Sequence, residues 1–371
     1  MRYLAIFFGA LLMLPAAAQE PGDPGLLWLV SRDATGDEGL RETLARVGGP
    51  EARKFRLTLA PEARVPAGDR FLVPRSFAAA NDRALAQELL EAPVLVIKGG
   101  SFMDWYETVF LKSGPTLLFR ALLDRVRSKK PLIVRGGAAA FFCAGTTLPE
   151  SSLRRTRRNP RYLQTQVPKS GMRLGPPALF DSDDWPEGTP LRWLHSLWQT
   201  RMDLGLYLVG DVAIEYSREG AWMRVHGPGT VILCDLGRAR RFKRRLEGVR
   251  LSTLGNGDGW NFNNSRLVPA PERVARELPR PLAGEIPRLE ILKASALLLG
   301  LAGEAGAGHD APGGAGPVDA MEVRLQFESD RLTTLWHAPA GGDASLFSLP
   351  VRLEWPTALF EPAISETGAQ R

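Results

Sequence analysis

Three runs of uninterrupted apolar residues, each set off by a longer amphipathic stretch, limit what this chain can fold into. Residues 26–30, 94–97 and 131–134 are short, rich in Leu, Ile and Val, and the last two are closed by Gly99-Gly100 and Gly136-Gly137. A strand that is apolar on both sides must be covered on both sides, and that happens in sheets whose neighbours are parallel and whose connections are helices. The stretches at 38–47, 77–90 and 116–127 have the spacing of such helices, and residues 55–59 add a further strand. The expected fold is α/β, a three-layer sandwich with a mostly parallel sheet. With 44% hydrophobic and 24% charged residues in a chain of 371, there is material for a full core.

The chain should begin with a leader. Arg2, an apolar run from residue 4 to 14 and the small residues Ala16, Ala17 and Ala18 have the pattern of a signal peptide cleaved after Ala18. This predicts a periplasmic or secreted bacterial protein. No later run is long and apolar enough to span a bilayer, so an integral membrane protein is not expected. A net charge of +6 over this length is too weak to imply nucleic acid. The two cysteines, Cys143 and Cys234, exclude a disulfide scaffold and a Cys-built zinc site and are read as free buried thiols. No cofactor or metal is expected. Asp181, Asp183, Asp184 and Glu187 cluster without the spacing of an EF-hand, and the segment 255–259 has the composition of a turn. The basic runs at 154–158 and 238–245 read mainly as solvated surface, because Arg is the default cation here, 39 Arg to 8 Lys.

Beyond Gly205 the texture changes to short strands at 206–209, 212–216, 222–225 and 230–233, expected as antiparallel hairpins extending the sheet. Four parts are expected in all: the leader at 1–18, an α/β domain at 19–268, a Pro-rich and helical connector with a Gly/Ala linker at 269–317, and a small β-rich tail at 318–371.

In an open α/β sheet, ligands bind at the carboxyl ends of the strands, which directs attention to the two Gly-Gly turns. Those turns, the small-residue helix after the second, and the segment from Gly205 through Gly210-Asp211-Val212-Ala213 to Gly227-Pro228-Gly229 resemble the cyanophycinase and aspartyl-dipeptidase group of serine peptidases. The resemblance covers roughly residues 27–268 and implies the class I glutamine amidotransferase-like, flavodoxin-like fold. It also implies a Ser nucleophile in Gly-Thr-Ser-Ala-Gly-Ala, a His in Asp-Gln-His-Phe and an acidic pair in Gly-Ile-Asp-Glu. Here the corresponding positions carry Ala138, Asp184 and Val209-Gly210, and the turn that shapes the family's oxyanion site reads Gly99-Gly100-Ser101-Phe102. A methyl group cannot attack a carbonyl. No catalytic residue is therefore expected intact. Gly99, Gly100, Ser101, Phe102, Gly136, Gly137, Ala138 and Ala139 are expected to line a vestigial pocket, open to a peptide or an acidic ligand. Ser101, Cys143, Thr147 and His195 lie near enough in sequence to be weighed as relocated catalysts, but no motif joins them. The expectation is a non-catalytic binding or scaffold protein; the alternative is a serine-type hydrolase of Asp-containing peptides.

Overall fold

The structure is a computed structural model. It describes residues 26–31, 36–60, 69–111, 114–143, 145–146, 171–182, 193, 196–198, 200, 202–241, 245–272, 274–276, 324–327, 334–337, 344–347 and 349–354. The leader, the run 154–158, Thr147, Asp183, Asp184, Glu187, His195 and nearly all of the connector lie outside those residues.

In chain order the first half reads β1 (Leu27–Val30), α1 (Glu38–Arg46), β2 (Lys54–Leu59), β3 (Arg70–Leu72), α2 (Phe77–Ala80), α3 (Arg83–Glu91) and β4 (Val94–Lys98). It continues with α4 (Phe102–Val109), β5 (Phe110–Leu111), β6 (Gly114–Pro115), α5 (Leu117–Arg127), β7 (Leu132–Arg135) and α6 (Gly137–Phe142). Strands β3, β2, β4, β7 and β1 lie side by side and parallel. Their side chains divide by parity. Leu27, Leu29, Leu95, Ile97, Leu132 and Val134 join one core cluster, with residues from α3, α4, α5 and α6. Trp28, Val30, Val94 and Ile133 join another, with Leu40 and Leu44 of α1. Both faces of the parallel strands are thus covered, as continuous apolar runs require.

The helix expected over 77–90 is two helices. Asp82 accepts hydrogen bonds from the N–H groups of Ala84 and Leu85 and starts α3. Asn81, just before it, accepts from the N–H of Leu117 at 3.1 Å and helps to start α5. Two helix N-termini are satisfied at one break.

The second half is mostly strand: β8 (Gly145–Thr146), β9 (Leu179–Ser182), β10 (Leu204–Val209), β11 (Ala213–Ser217), β12 (Trp222–His226), β13 (Thr230–Asp235), β14 (Arg240–Arg241) and β15 (Arg245–Leu254). Then follow β16 (Gly259–Asn261), β17 (Arg266–Val268), β18 (Val274–Arg276), β19 (Arg324–Phe327), β20 (Thr334–His337), β21 (Ala344–Phe347) and β22 (Leu349–Glu354). Here the expectation of hairpins extending one sheet needs correction. Strands β11, β12, β16 and β17 do extend the parallel strands, antiparallel, to a nine-stranded sheet. Strands β10 and β13 instead belong to a second, eight-stranded sheet, ordered β19-β22-β15-β13-β10-β9-β8. The chain changes sheet at Gly210-Asp211-Val212. Ser31 holds that crossing: its hydroxyl donates to the Gly210 carbonyl at 2.7 Å and accepts from the Val212 N–H at 3.2 Å. Phe180, Leu206, Leu208, Val231 and Leu233 of the second sheet enter the same core cluster as the helices α3 to α6. In the tail, β22 pairs antiparallel with β15, and β20 pairs with β18 and β21 in a small third sheet.

Candidate functional site

The carboxyl ends of β4 and β7 are neighbours, with Ile97 opposite Val134. Gly99 has φ +73, and a Cβ there would fall 2.7 Å from the Leu59 carbonyl oxygen, so only glycine fits this turn. Ser101 then starts α4 through a capping box: its hydroxyl accepts from the Asp104 N–H at 3.1 Å, and the Asp104 carboxylate accepts from the Ser101 N–H at 3.0 Å. The Ser101 hydroxyl also donates to Asp104 at 2.8 Å. Ser101 is therefore committed to a helix start.

At the second turn the strained residue is Gly136, with φ 60 and ψ −139. A sharp strand-to-helix turn of this kind is where serine hydrolases expose their nucleophile. Gly136 has no side chain to offer. Ala138, two residues on, lies within α6 and is fully buried, as is Ala139. Gly99 is exposed, and Gly100, Ser101, Gly136 and Gly137 are half-buried.

Behind the turns the space holds aromatic rings. Phe102, Trp105 and Phe141 are 1%, 0% and 0% exposed. Ring centroids lie 5.9 Å apart for Phe102 and Phe141, 6.3 Å for Trp105 and Phe141, and 6.0 Å for Phe110 and Phe141. The Trp105 indole donates to the Gly99 carbonyl at 2.7 Å, fixing the ring beneath the turn. Such packing leaves the strand tips backed by hydrocarbon.

The other candidates are placed as follows. Cys143 is fully buried at the end of α6, and burial pushes its thiol well above the usual range, which removes the thiolate needed for attack. Cys234 on β13 is buried and free in the same way. Asp181, on β9, is 2% exposed and accepts from the Ser182 N–H at 2.9 Å. Gly210, with φ +69, forms the sheet crossing. In the segment 255–259, Asp258 is fully buried and accepts from the N–H groups of Gly255 at 2.8 Å and Ala270 at 3.0 Å, so its charge serves backbone donors. Within the basic run, Arg241 donates to the carbonyls of Trp198 at 3.3 Å and Met202 at 3.1 Å. Among the described residues no group of three or more His, Cys, Asp or Glu is placed to hold a metal, and no helix is long and apolar enough to cross a membrane.

One pair with acid–base character went unnoticed in the sequence. His226 Nε2 lies 2.9 Å from Glu215 Oε2, across the antiparallel pair β11 and β12, and the ring sits 4.8 Å from Trp28. Alternation along β11 and β12 was the available signal, since it puts both residues on one face. No hydroxyl or thiol among the described residues hydrogen-bonds to this ring.

Fold and strand tips together define a mixed α/β protein with parallel strands at its centre and no nucleophilic side chain at the strained turn. No protein-family model matches the chain, and no curated protein matches it. Among solved structures it is similar to the crystal structure of a peptidase from an acI-B1 Actinobacterium, at 13% identity over 64% of this chain and 97% of that one, with a TM-score of 0.45.

Proposed function

We propose that this chain is an exported, non-hydrolytic binding protein built on a cyanophycinase-like scaffold. The observation that carries the reading is the pairing of Gly136 at the strained turn with the Phe102, Trp105 and Phe141 rings behind it. A serine peptidase needs a hydroxyl at that turn, a base in hydrogen-bond reach of it, and room for an acyl group. The turn supplies a hydrogen atom and a wall of rings. Loss of triad members removes several orders of magnitude of rate, and what binding and oxyanion contacts retain is small beside it.

The test uses the chain without residues 1–18, offered β-aspartyl-arginine polymer and Asp-X dipeptides, with a fluorophosphonate probe alongside. No turnover and no labelling are expected. Turnover abolished by the fluorophosphonate would overturn the reading in favour of a serine-type peptidase. Export is checked separately: the full chain expressed in a bacterium should appear in the periplasm or medium starting at Gln19, and an intact Met1 terminus on a cytoplasmic product would refute it.

A further inference from the structure

At the other end of the nine-stranded sheet the chain encloses a cavity of about 640 Å³. It opens beside the start of β1, the last turn of α5 and the end of antiparallel β11, where Leu27 pairs with Tyr216. That is the amino end of the parallel strands, opposite Gly99 and Gly136. Its walls are aliphatic, from Leu26, Leu27, Val126 and Leu174. Two turns bring charge to it: Arg127 and Lys129 from one, Arg218 and Glu219 from the other.

These charges do not cancel. Lys129 donates to Glu219 at 2.7 Å, tying the two turns together and occupying the one carboxylate. Among the described residues Arg127 meets Asp124 alone, at 3.5 Å and in a largely exposed pair, which holds it weakly. Arg218 makes no ion pair among the described residues. Among the described residues two guanidinium groups are thus left without a strong partner beside an apolar hollow.

Tyr216 adds a polar group to the lining. It is 6% exposed and lines the cavity, yet no described residue takes or gives a hydrogen bond at its hydroxyl. The hydroxyl is not one of the fully buried unpartnered polar atoms, and as part of the cavity lining it is open to a bound acceptor. Burial raises this phenol to about 12, so it remains a neutral O–H donor across the physiological range.

We propose that this cavity binds a small amphipathic monocarboxylate, with its aliphatic tail against Leu27, Val126 and Leu174 and its carboxylate reached by Tyr216, Arg127 and Arg218. The size suits such a ligand, since pockets of roughly 300–1,000 Å³ with apolar walls and a few placed polar groups are the usual form of small-molecule sites. Arg provides fork-shaped donors for a carboxylate, and the Tyr216 hydroxyl adds a further donor. The site is separate from the strand tips and stands or falls independently of whether they catalyse anything.

Isothermal titration calorimetry of the chain without residues 1–18 tests it, with decanoate and decan-1-ol as probes. Saturable one-site binding of decanoate is expected, with decan-1-ol at least tenfold weaker. The exposed double variant Arg127→Ala/Arg218→Ala should lose tenfold or more for decanoate and little for decan-1-ol. Tyr216→Phe should weaken decanoate several-fold, and Leu174→Trp, which fills the hollow, should abolish it. Absence of saturable heat, equal affinity for acid and alcohol, or indifference to the double Arg variant would each overturn the proposal. Should Leu174→Trp lose its far-UV circular dichroism, the comparison of probes and the double Arg variant, which leaves the core intact, decide the matter.

Discussion

A hydroxyl placed at Ala138 would enter a fully buried position of α6, where the neighbours are Leu, Phe and Ala side chains of the main core. Without a partner it costs about 1–3 kcal/mol, less if it bonds back to the preceding turn. Ala138→Ser is therefore expected to lower the urea midpoint and to create no peptidase activity; turnover in this variant would reveal a base already in place. A second residue-scale expectation concerns alkaline pH. Burial raises the Tyr216 phenol to about 12 and pushes both thiols upward, so the native state keeps protons that the unfolded chain releases from about pH 9 onward. Their contribution is complete below the ordinary values and is lost as pH rises through the native ones. Arg125 runs the other way. Its guanidinium is fully buried, donates to the carbonyls of Leu89, Ala92, Pro93 and Pro131, and is lowered by desolvation to about 10, so it adds stability with pH only above about 10. Between about pH 9 and 10 this loss outweighs the smaller opposite effect of Lys54, whose ammonium is held by burial below its ordinary value. Urea midpoints should fall across that window, and Tyr216→Phe should flatten the upper part of the fall; a flat profile in the parent chain would contradict the assignment of buried protons.

Single elements show what a local pattern can and cannot specify. The turn at 255–259 is held by Asp258 through two backbone N–H groups, one of them Ala270, twelve residues away. Hydrogen bonds to a charged group contribute about 1.5–3 kcal/mol each, so Asp258→Ala is expected to cost about 3 kcal/mol or more and Asp258→Asn distinctly less. Equilibrium unfolding of the two variants measures the difference, and equal small losses would mean that the loop holds without this side chain. Turn composition was visible in Gly255, Gly257 and Gly259; the reach to Ala270 was not, since it depends on where β17 returns. The same distinction runs through the fold. Strands β1, β4 and β7 and helices α1 and α5 are legible because burial on both sides, or a 3.6-residue period, is written within each segment. The break between α2 and α3 depends on Asn81 meeting Leu117 thirty-six residues later. Helix α4 was hidden in a segment read as a degenerate oxyanion turn, although Ser101 and Asp104 already spell a capping box. At the strand tips the positions of the Gly-Gly turns were readable. That Gly136 carries the strain, and that Phe141 turns its ring toward Phe102, depends on how α4 and α6 pack.

At the scale of the molecule, two sheets share one core, and strands β19 and β22 of the tail are part of the second. Strand β15 runs ten residues, with Leu246, Val249 and Leu251 buried, between β13 on one side and β22 on the other. The β22 register places Leu353 opposite Leu246, Val351 opposite Val249 and Leu349 opposite Leu251, with an irregularity between Leu246 and Val249. Strand β19 then lies outside β22. A chain ending at residue 317 would leave one side of β15 with unpaired N–H and C=O groups along a long, partly apolar strand. Edges of that kind recruit other strands, which makes them sites of self-association. The four short strands of the tail are divided between two sheets, each of which is completed by strands outside it, β15 in one and β18 in the other, so the excised tail should not fold by itself. The expected result is a truncated protein with a lower thermal midpoint that elutes in light-scattering chromatography as oligomers or aggregate, while the parent elutes as one defined species. Cleavage of the intact parent between residues 303 and 317 should leave the two pieces associated in the same column, because the β15–β22 pairing does not pass through the cut. A truncated chain with unchanged midpoint and elution, or a cut chain whose tail separates, would show that β15 does not depend on this pairing and that the second sheet is complete without the tail.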